Sequence, residues 1–144
     1  MRVDIDVDAA GAIAYLRRME DRAGDFRSVF RWAKNELRKS NADNFTANGL
    51  PSGGWSPRTR DYAWPIMRKS GALFKSLASL NGAPNEIHKD YANFGTKVEY
   101  AKFHQYGTTR MAARKVVFTP IGFAKGVGEQ AAKHIVGLKG DMFS

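Results

Sequence analysis

At Ser40 the composition of this chain changes, and the change limits what the chain can fold into. Upstream, Phe26, Val29, Phe30, Ala33 and Leu37 recur at helical spacing and make one apolar stripe. From Ser40 to Thr59, Asn, Gly, Ser and Pro take over, and Asn48-Gly49-Leu50-Pro51-Ser52-Gly53-Gly54-Trp55-Ser56-Pro57 has the turn chemistry of a loop. Long loops in compact domains are usually functional or without fixed structure. Trp55 inside this one argues that it is pinned to something. Helices therefore come first, then a long connection, then whatever closes the fold.

The remaining elements follow from spacing and punctuation. Residues 2–7 alternate polar and apolar, as a strand with one wet face would. Asp4, Asp6 and Asp8 do not make a calcium loop, because Ala9 and Tyr15 stand where the loop needs Gly and Glu. Asp8 suits the N-cap of a helix from about Ala9, with Ile13, Leu16, Met19 and Ala23 at helical spacing. Gly24-Asp25 breaks it, and Asp25 can cap the helix that carries the Phe26–Leu37 stripe. On that second helix Arg27, Arg31, Lys34 and Arg38 form a basic stripe about 110° away from the apolar one. Trp32 lies on neither stripe, so contact with another chain and packing on a neighbouring loop both stay open. A short helix is expected over 58–66, broken at Trp64-Pro65. Ile66–Leu77 can be helical or lead into a strand. A turn at 81–85, a strand over 86–94, a one-turn helix over 100–106 closed by Gly107, an extended segment over 115–119 stopped by Pro120, and a final helix over 129–138 complete the chain. Gly122, Gly126 and Gly128 loosen the approach to that last helix. The sum is α+β: N-terminal helices packed on a small, mostly antiparallel sheet with a C-terminal helix, in a single domain 1–144 with a flexible loop at about 46–60.

The templates for chemistry fail one after another. With no cysteine among 144 residues, neither a disulfide framework nor a thiolate metal site is available. The 3 histidines, His88, His104 and His134, have no partner at metal-ligand spacing. There is no G-x-S-x-G elbow and no phosphate-loop order among the glycines at 122–128. No run of apolar residues is long enough to span a bilayer, and Met1-Arg2-Val3-Asp4 lacks the apolar segment of an export signal. These readings lead us to expect no enzyme, no cofactor, no metal and no membrane.

The net charge of +9 attracts polyanions or an acidic protein partner. The charge is spread along the chain, without a basic tail. In 97–125 the basic residues Lys97, Lys102, Arg110, Arg114, Lys115 and Lys125 interleave with Tyr100, Phe103 and Tyr106, as stacking on nucleic-acid bases would require. The same aromatics suit a one-turn helix packing on a sheet. A small basic nucleic-acid-binding module is therefore one of two functional alternatives. His104 on that turn can donate to a backbone carbonyl as a structural group or act as a general base, and nothing nearby in sequence would orient it for the second task.

The other alternative comes from a resemblance. The order Phe45…Pro51…Gly54-Trp55-Ser56-Pro57, then Met67–Leu77 with Ser70-Gly71-Ala72-Leu73, then Tyr100-Ala101-Lys102-Phe103-His104-Gln105-Tyr106-Gly107-Thr108, then Ala113-Arg114 before Phe118, resembles the tail-completion, or virion morphogenesis, family of tailed bacteriophages. Lys115 stands where that family often has Pro, and Thr108–Ala113 is short where relatives often carry a longer loop. The resemblance implies a structural virion protein of the neck, made in the host cytoplasm. Its copies would form a ring, often a hexamer, that joins or completes the tail at the head–tail interface. The implied partners are sister copies, neighbouring connector proteins and tail terminator or tail-tube proteins, with DNA passing the lumen without specific binding. A closed ring needs two different complementary patches on each subunit. The expected patches are the 48–57 loop with Trp55 and the Arg27/Arg31/Lys34/Arg38 face with Trp32. Tyr100, His104, Gln105 and Gly107 would form a rigid turn, with Arg110, Arg114 and Lys115 meeting acidic surface on a neighbour. Replacing Arg27 and Arg31 with Glu is then expected to block joining of heads to tails.

Overall fold

A computed structural model describes residues 9–137. The expected strand over 2–7, the Asp8 cap and Leu138 at the end of the last helix lie outside the described residues. In chain order the elements are α1 (Ala9–Ala23), α2 (Arg27–Thr46), a 3-10 turn (Leu50–Ser52), α3 (Ala72–Ser79), β1 (Glu86–Ile87), β2 (Ala92–Asn93), α4 (Ala101–Tyr106) and α5 (Phe123–Val136).

Gly24 ends α1, its N–H donating back to Glu20 and Asp21. The Asp25 carboxylate then accepts the backbone N–H of Arg27 at 3.1 Å and pairs with its guanidinium at 2.6 Å. That supplies an acceptor for an orphan donor at the start of α2. The neighbouring Phe26 N–H donates to Lys89 of the β hairpin, 2.8 Å away. α2 spans 20 residues, which makes it about 30 Å long, and the other elements are arranged along it.

Near the N-terminal end of α2 lies α5, running antiparallel. Gly126 of α5 faces the Trp32 indole, where an added Cβ would come within 2.8 Å of the ring. His134 of α5 accepts from or donates to three groups at once. Its Nε2 reaches the carbonyls of Arg22 (2.9 Å) and Asp25 (2.6 Å), so Nε2 carries the proton and Nδ1 accepts from the Ser28 hydroxyl at 3.2 Å. The end of α1 joins here too, through Arg22 donating to the Ile135 carbonyl.

The buried core sits at the other end of α2: Phe45, Trp55, Leu73, Leu77, Leu80, Ala101 and Val116. Leu73 and Leu77, four apart on α3, point at α2, and Asn41 donates to the Leu77 carbonyl at 2.8 Å. Phe45 meets Trp55 and Phe74 edge to face, with centroids 5.2 and 5.3 Å apart. Each fully buried side chain of this size contributes about 1.5–3 kcal/mol.

The α+β class expected from the sequence is the class observed, with a sheet of two antiparallel strands paired Glu86↔Asn93 and Ile87↔Ala92. Several boundaries differ. α2 does not stop at Ser40 but runs to Thr46, because Asn41 and Asn44 commit their amides to distant carbonyls instead of competing for the local backbone. No helix forms over 58–66. Ile66–Leu77 resolves to a helix that starts only at Ala72, after Gly71 in the left-handed region. The single strand expected over 86–94 is a hairpin, turning where the His88 N–H donates to the Tyr91 carbonyl at 2.8 Å and the two rings stack. The 115–119 segment is extended but pairs with a side chain rather than a strand. α5 begins at Phe123, six residues before the expected start, with Gly126 and Gly128 inside it.

Candidate functional site

One backbone oxygen organises the region that the sequence singled out. The Lys115 carbonyl accepts hydrogen bonds from Asn44 Nδ2 (3.1 Å), Ser52 Oγ (3.1 Å) and Trp55 Nε1 (2.8 Å). Asn44 is fully buried, and its Oδ1 accepts the Ser52 N–H, so one side chain fixes both α2 and the 3-10 turn to Lys115. The Trp55 indole covers Gly49, whose φ is +80° and where an added Cβ would lie 2.2 Å from the ring. Only glycine satisfies both the backbone angle and the approach. The loop is thus pinned, as Trp55 suggested, and it is pinned to its own chain. With 8% exposure Trp55 is a core residue and not a docking side chain.

Gln105 does the work of a missing strand. Its Oε1 accepts the N–H groups of Val116 (3.0 Å) and Val117 (2.9 Å), and its Nε2 donates to the Val117 carbonyl at 2.8 Å. Gly107 turns the chain at φ +73°, ψ 176°, against Ala113 N and Met111 O, which an added Cβ would approach to 2.8 and 2.9 Å. Thr108 and Met111 close the tip by a bridge, with Arg110 exposed on it. The Arg114 N–H returns to the His104 carbonyl at 2.6 Å. Its guanidinium reaches the Ser56 and Pro57 carbonyls, so this side chain ties the 55–57 loop to the 107–114 turn. The His104 imidazole was expected to donate to a carbonyl. Its Nδ1 is instead buried with no hydrogen-bond partner, and the ring sits edge-on to Tyr100 at 5.8 Å. Burial, and secondly the Arg114 charge, hold its pKa below the ordinary histidine value.

Beside this turn lies a cavity of about 590 Å³ that the sequence did not disclose. Tyr62 and Trp64 stack at 4.7 Å on one side, and Tyr100 and His104 line another. Its cations are Arg58, Lys69 and Arg114; no carboxylate lines it. Arg58 donates to the Trp64 carbonyl and lies over Tyr62, and Lys69 lies over Trp64. The interleaved aromatic and basic residues of 58–69 were the available signal, which the expectation of a short helix obscured.

The basic face of α2 is less free than its sequence suggested. Arg27 is paired with Asp25, Lys34 donates to Asn81 Oδ1, and Arg38 donates to the Ala78 carbonyl. Arg31 remains exposed, and Trp32 spends part of its surface on Gly126 within the chain. The structure does not bring this face together with Arg110, Arg114 and Lys115; the Lys115 carbonyl meets Asn44, near the C-terminal end of α2.

Exposed large apolar side chains cluster in two places, with Leu50, Tyr62, Tyr91, Ile121 and Val136 exposed elsewhere. Ile13, Tyr15 and Leu16 lie on α1, which buries no residue; Leu16 is 61% exposed. Phe103, Tyr106 and Val117 surround a second hollow at α4, with Tyr106 81% exposed. These aromatics do not pack on the sheet. The sequence showed the apolar periodicity of α1 but not that, among the described residues, its contact with α5 leaves every α1 residue unburied.

Among the described residues, no group of three or more His, Asp or Glu side chains could hold a metal ion, and no helix is long and apolar enough to cross a membrane. A family model described as the phage virion morphogenesis family matches residues 7–139. No curated protein and no solved structure matches the chain.

Proposed function

The chain belongs to the phage virion morphogenesis family, and from that premise we propose that it is a non-enzymatic ring subunit of the head–tail junction that joins or completes the tail. A role in morphogenesis of the virion is the family's own. The observation that carries the finer reading is the pair of unlike apolar surfaces on one folded unit. Soluble monomers rarely expose large contiguous apolar patches, and the described residues bury neither of these surfaces. The α1 surface is attached near Ser28, through His134 and Arg22, and the α4 surface near Asn44, through Lys115 and Gln105. Those two points on α2 are about 24 Å apart along the helix. Two different patches at opposite ends make a heterologous contact, and a heterologous contact that closes is a ring.

The reading predicts a specific pattern. Leu16→Glu disables one patch and Tyr106→Glu the other. Each variant alone stays monomeric, while an equimolar mixture forms dimers and no ring, because only one of the two possible contacts is intact. Native mass spectrometry reads all three states. Rings formed by either variant alone would remove these patches from the interface. Binding to random duplex DNA that weakens steeply with salt, with no oligomer, would favour the nucleic-acid module instead.

A further inference from the structure

The cavity beside α4 has the chemistry of a receptor for an acidic, apolar segment of protein. At about 590 Å³ it falls within the ~300–1,000 Å³ of sites that enclose a small ligand, so it holds a few side chains and not a folded surface. Its walls are Tyr62, Trp64, Ile66 and Met67, and its cations are Arg58, Lys69 and Arg114. Those cations find only carbonyls and aromatic faces within the described chain, never a carboxylate. Cations left so beside apolar walls favour an anion that brings its own apolar neighbours.

The chain carries one such segment past its last described residue: Asp141-Met142-Phe143. The segment cannot serve its own cavity. α5 runs antiparallel to α2 and ends beyond the Ser28–His134 contact. The cavity adjoins the opposite end, where Arg68 reaches the Thr46 hydroxyl at 3.5 Å. From residue 28 to residue 46 is about 27 Å along the helix. From Gly137 to Phe143 a fully extended chain covers at most about 21 Å, which is too short. We infer that Asp141-Met142-Phe143 of one copy inserts into the Arg58/Lys69/Arg114 cavity of the next copy, as a strap across the ring contact. This rests on the ring reading. It also fits it, since the strap leaves from the α1 end and the cavity opens at the α4 end.

The absence of cysteine allows a direct test. Ser70, on the cavity wall, and Met142 are each replaced, giving S70C, M142C and the double variant in the full-length chain. Under mild oxidation the double variant is expected to give a ladder of covalent oligomers on a non-reducing gel. The two single variants mixed together give a dimer. Adding Lys69→Glu, or Asp141→Lys and Phe143→Ser, abolishes the ladder while the unfolding midpoint stays at that of the parent. Rings by native mass with no ladder would overturn the strap and leave the ring reading standing. A cross-linked monomer would overturn it by showing the segment in its own cavity. A chain that neither assembles nor cross-links would overturn it as well, with the ring then judged on the particle itself. Binding of labelled oligo-dT that is lost in Lys69→Glu, without a ladder, would assign the cavity to single-stranded nucleic acid.

Discussion

Single residues carry much of the geometry at the 104–117 turn, and their chemistry predicts how the protein responds to change. Gly107 sits at φ +73°, ψ 176°, a region that only glycine adopts without strain. Gly107→Ala is expected to cost about 1–3 kcal/mol, with further loss from the contact against Ala113; urea denaturation measures it. Gln105→Leu removes the acceptor of two backbone N–H groups and is expected to cost about 1–3 kcal/mol, with loss of amide protection at Val116 and Val117 in hydrogen exchange. His104 is held below the ordinary histidine pKa, so the unfolded chain binds its proton first as pH falls. Its contribution is complete above about 6.5 and is lost as pH drops below that value through the lower folded pKa. Thermal unfolding from pH 7 to pH 5 should therefore show a decline that is smaller in His104→Asn. Asp25, lowered to about 2 by the Arg27 hydrogen bonds, has the same sign in a more acidic window. Its contribution is present above the ordinary aspartate range and lost on approach to about 2.

At the level of elements, what could be read in the sequence was what local periodicity and capping determine. The helices from Ala9, from the Gly24-Asp25 break and over 101–106 with its Gly107 stop were legible because each carries its own signal. What could not be read was tertiary. Asn41 and Asn44 look like helix breakers until their amides are seen to reach Leu77 and Lys115. Gln105 looks like an ordinary helical residue until it is seen to substitute for a strand. Gly126 looked like a weakness in the approach to α5 and is instead the seat of Trp32. Trp55 was legible as an anchor, but not as an anchor within the chain. Gly126→Val should push Trp32 off α5 and raise hydrogen exchange along α5 and the end of α1, leaving α3 protected. Equal loosening of all the helices would mean that α5 and α1 are not a separable unit.

Taken whole, the molecule has a core at one end of α2, a His134-centred junction at the other, and unlike apolar surfaces at each. The charge of +9 is retained, but Arg27, Lys34, Arg38 and Arg114 have their side chains oriented by partners within the chain. If the proposed ring encloses a channel for DNA, a strongly basic lumen would retain the DNA electrostatically, and cations turned toward protein would not. Arg31→Glu and Arg110→Glu test this. Both are exposed, so folding should be unchanged; loss of head–tail joining would support protein contacts, whereas normal joining with an altered DNA ejection rate would count against them. Assembly is tested most directly by a cryo-electron microscopy map of intact particles fine enough to trace this fold. The expected map shows a closed ring of copies at the head–tail junction, with α1 of each copy against α4 of the next. A map that traces the junction completely and contains no copy of this chain there would contradict it.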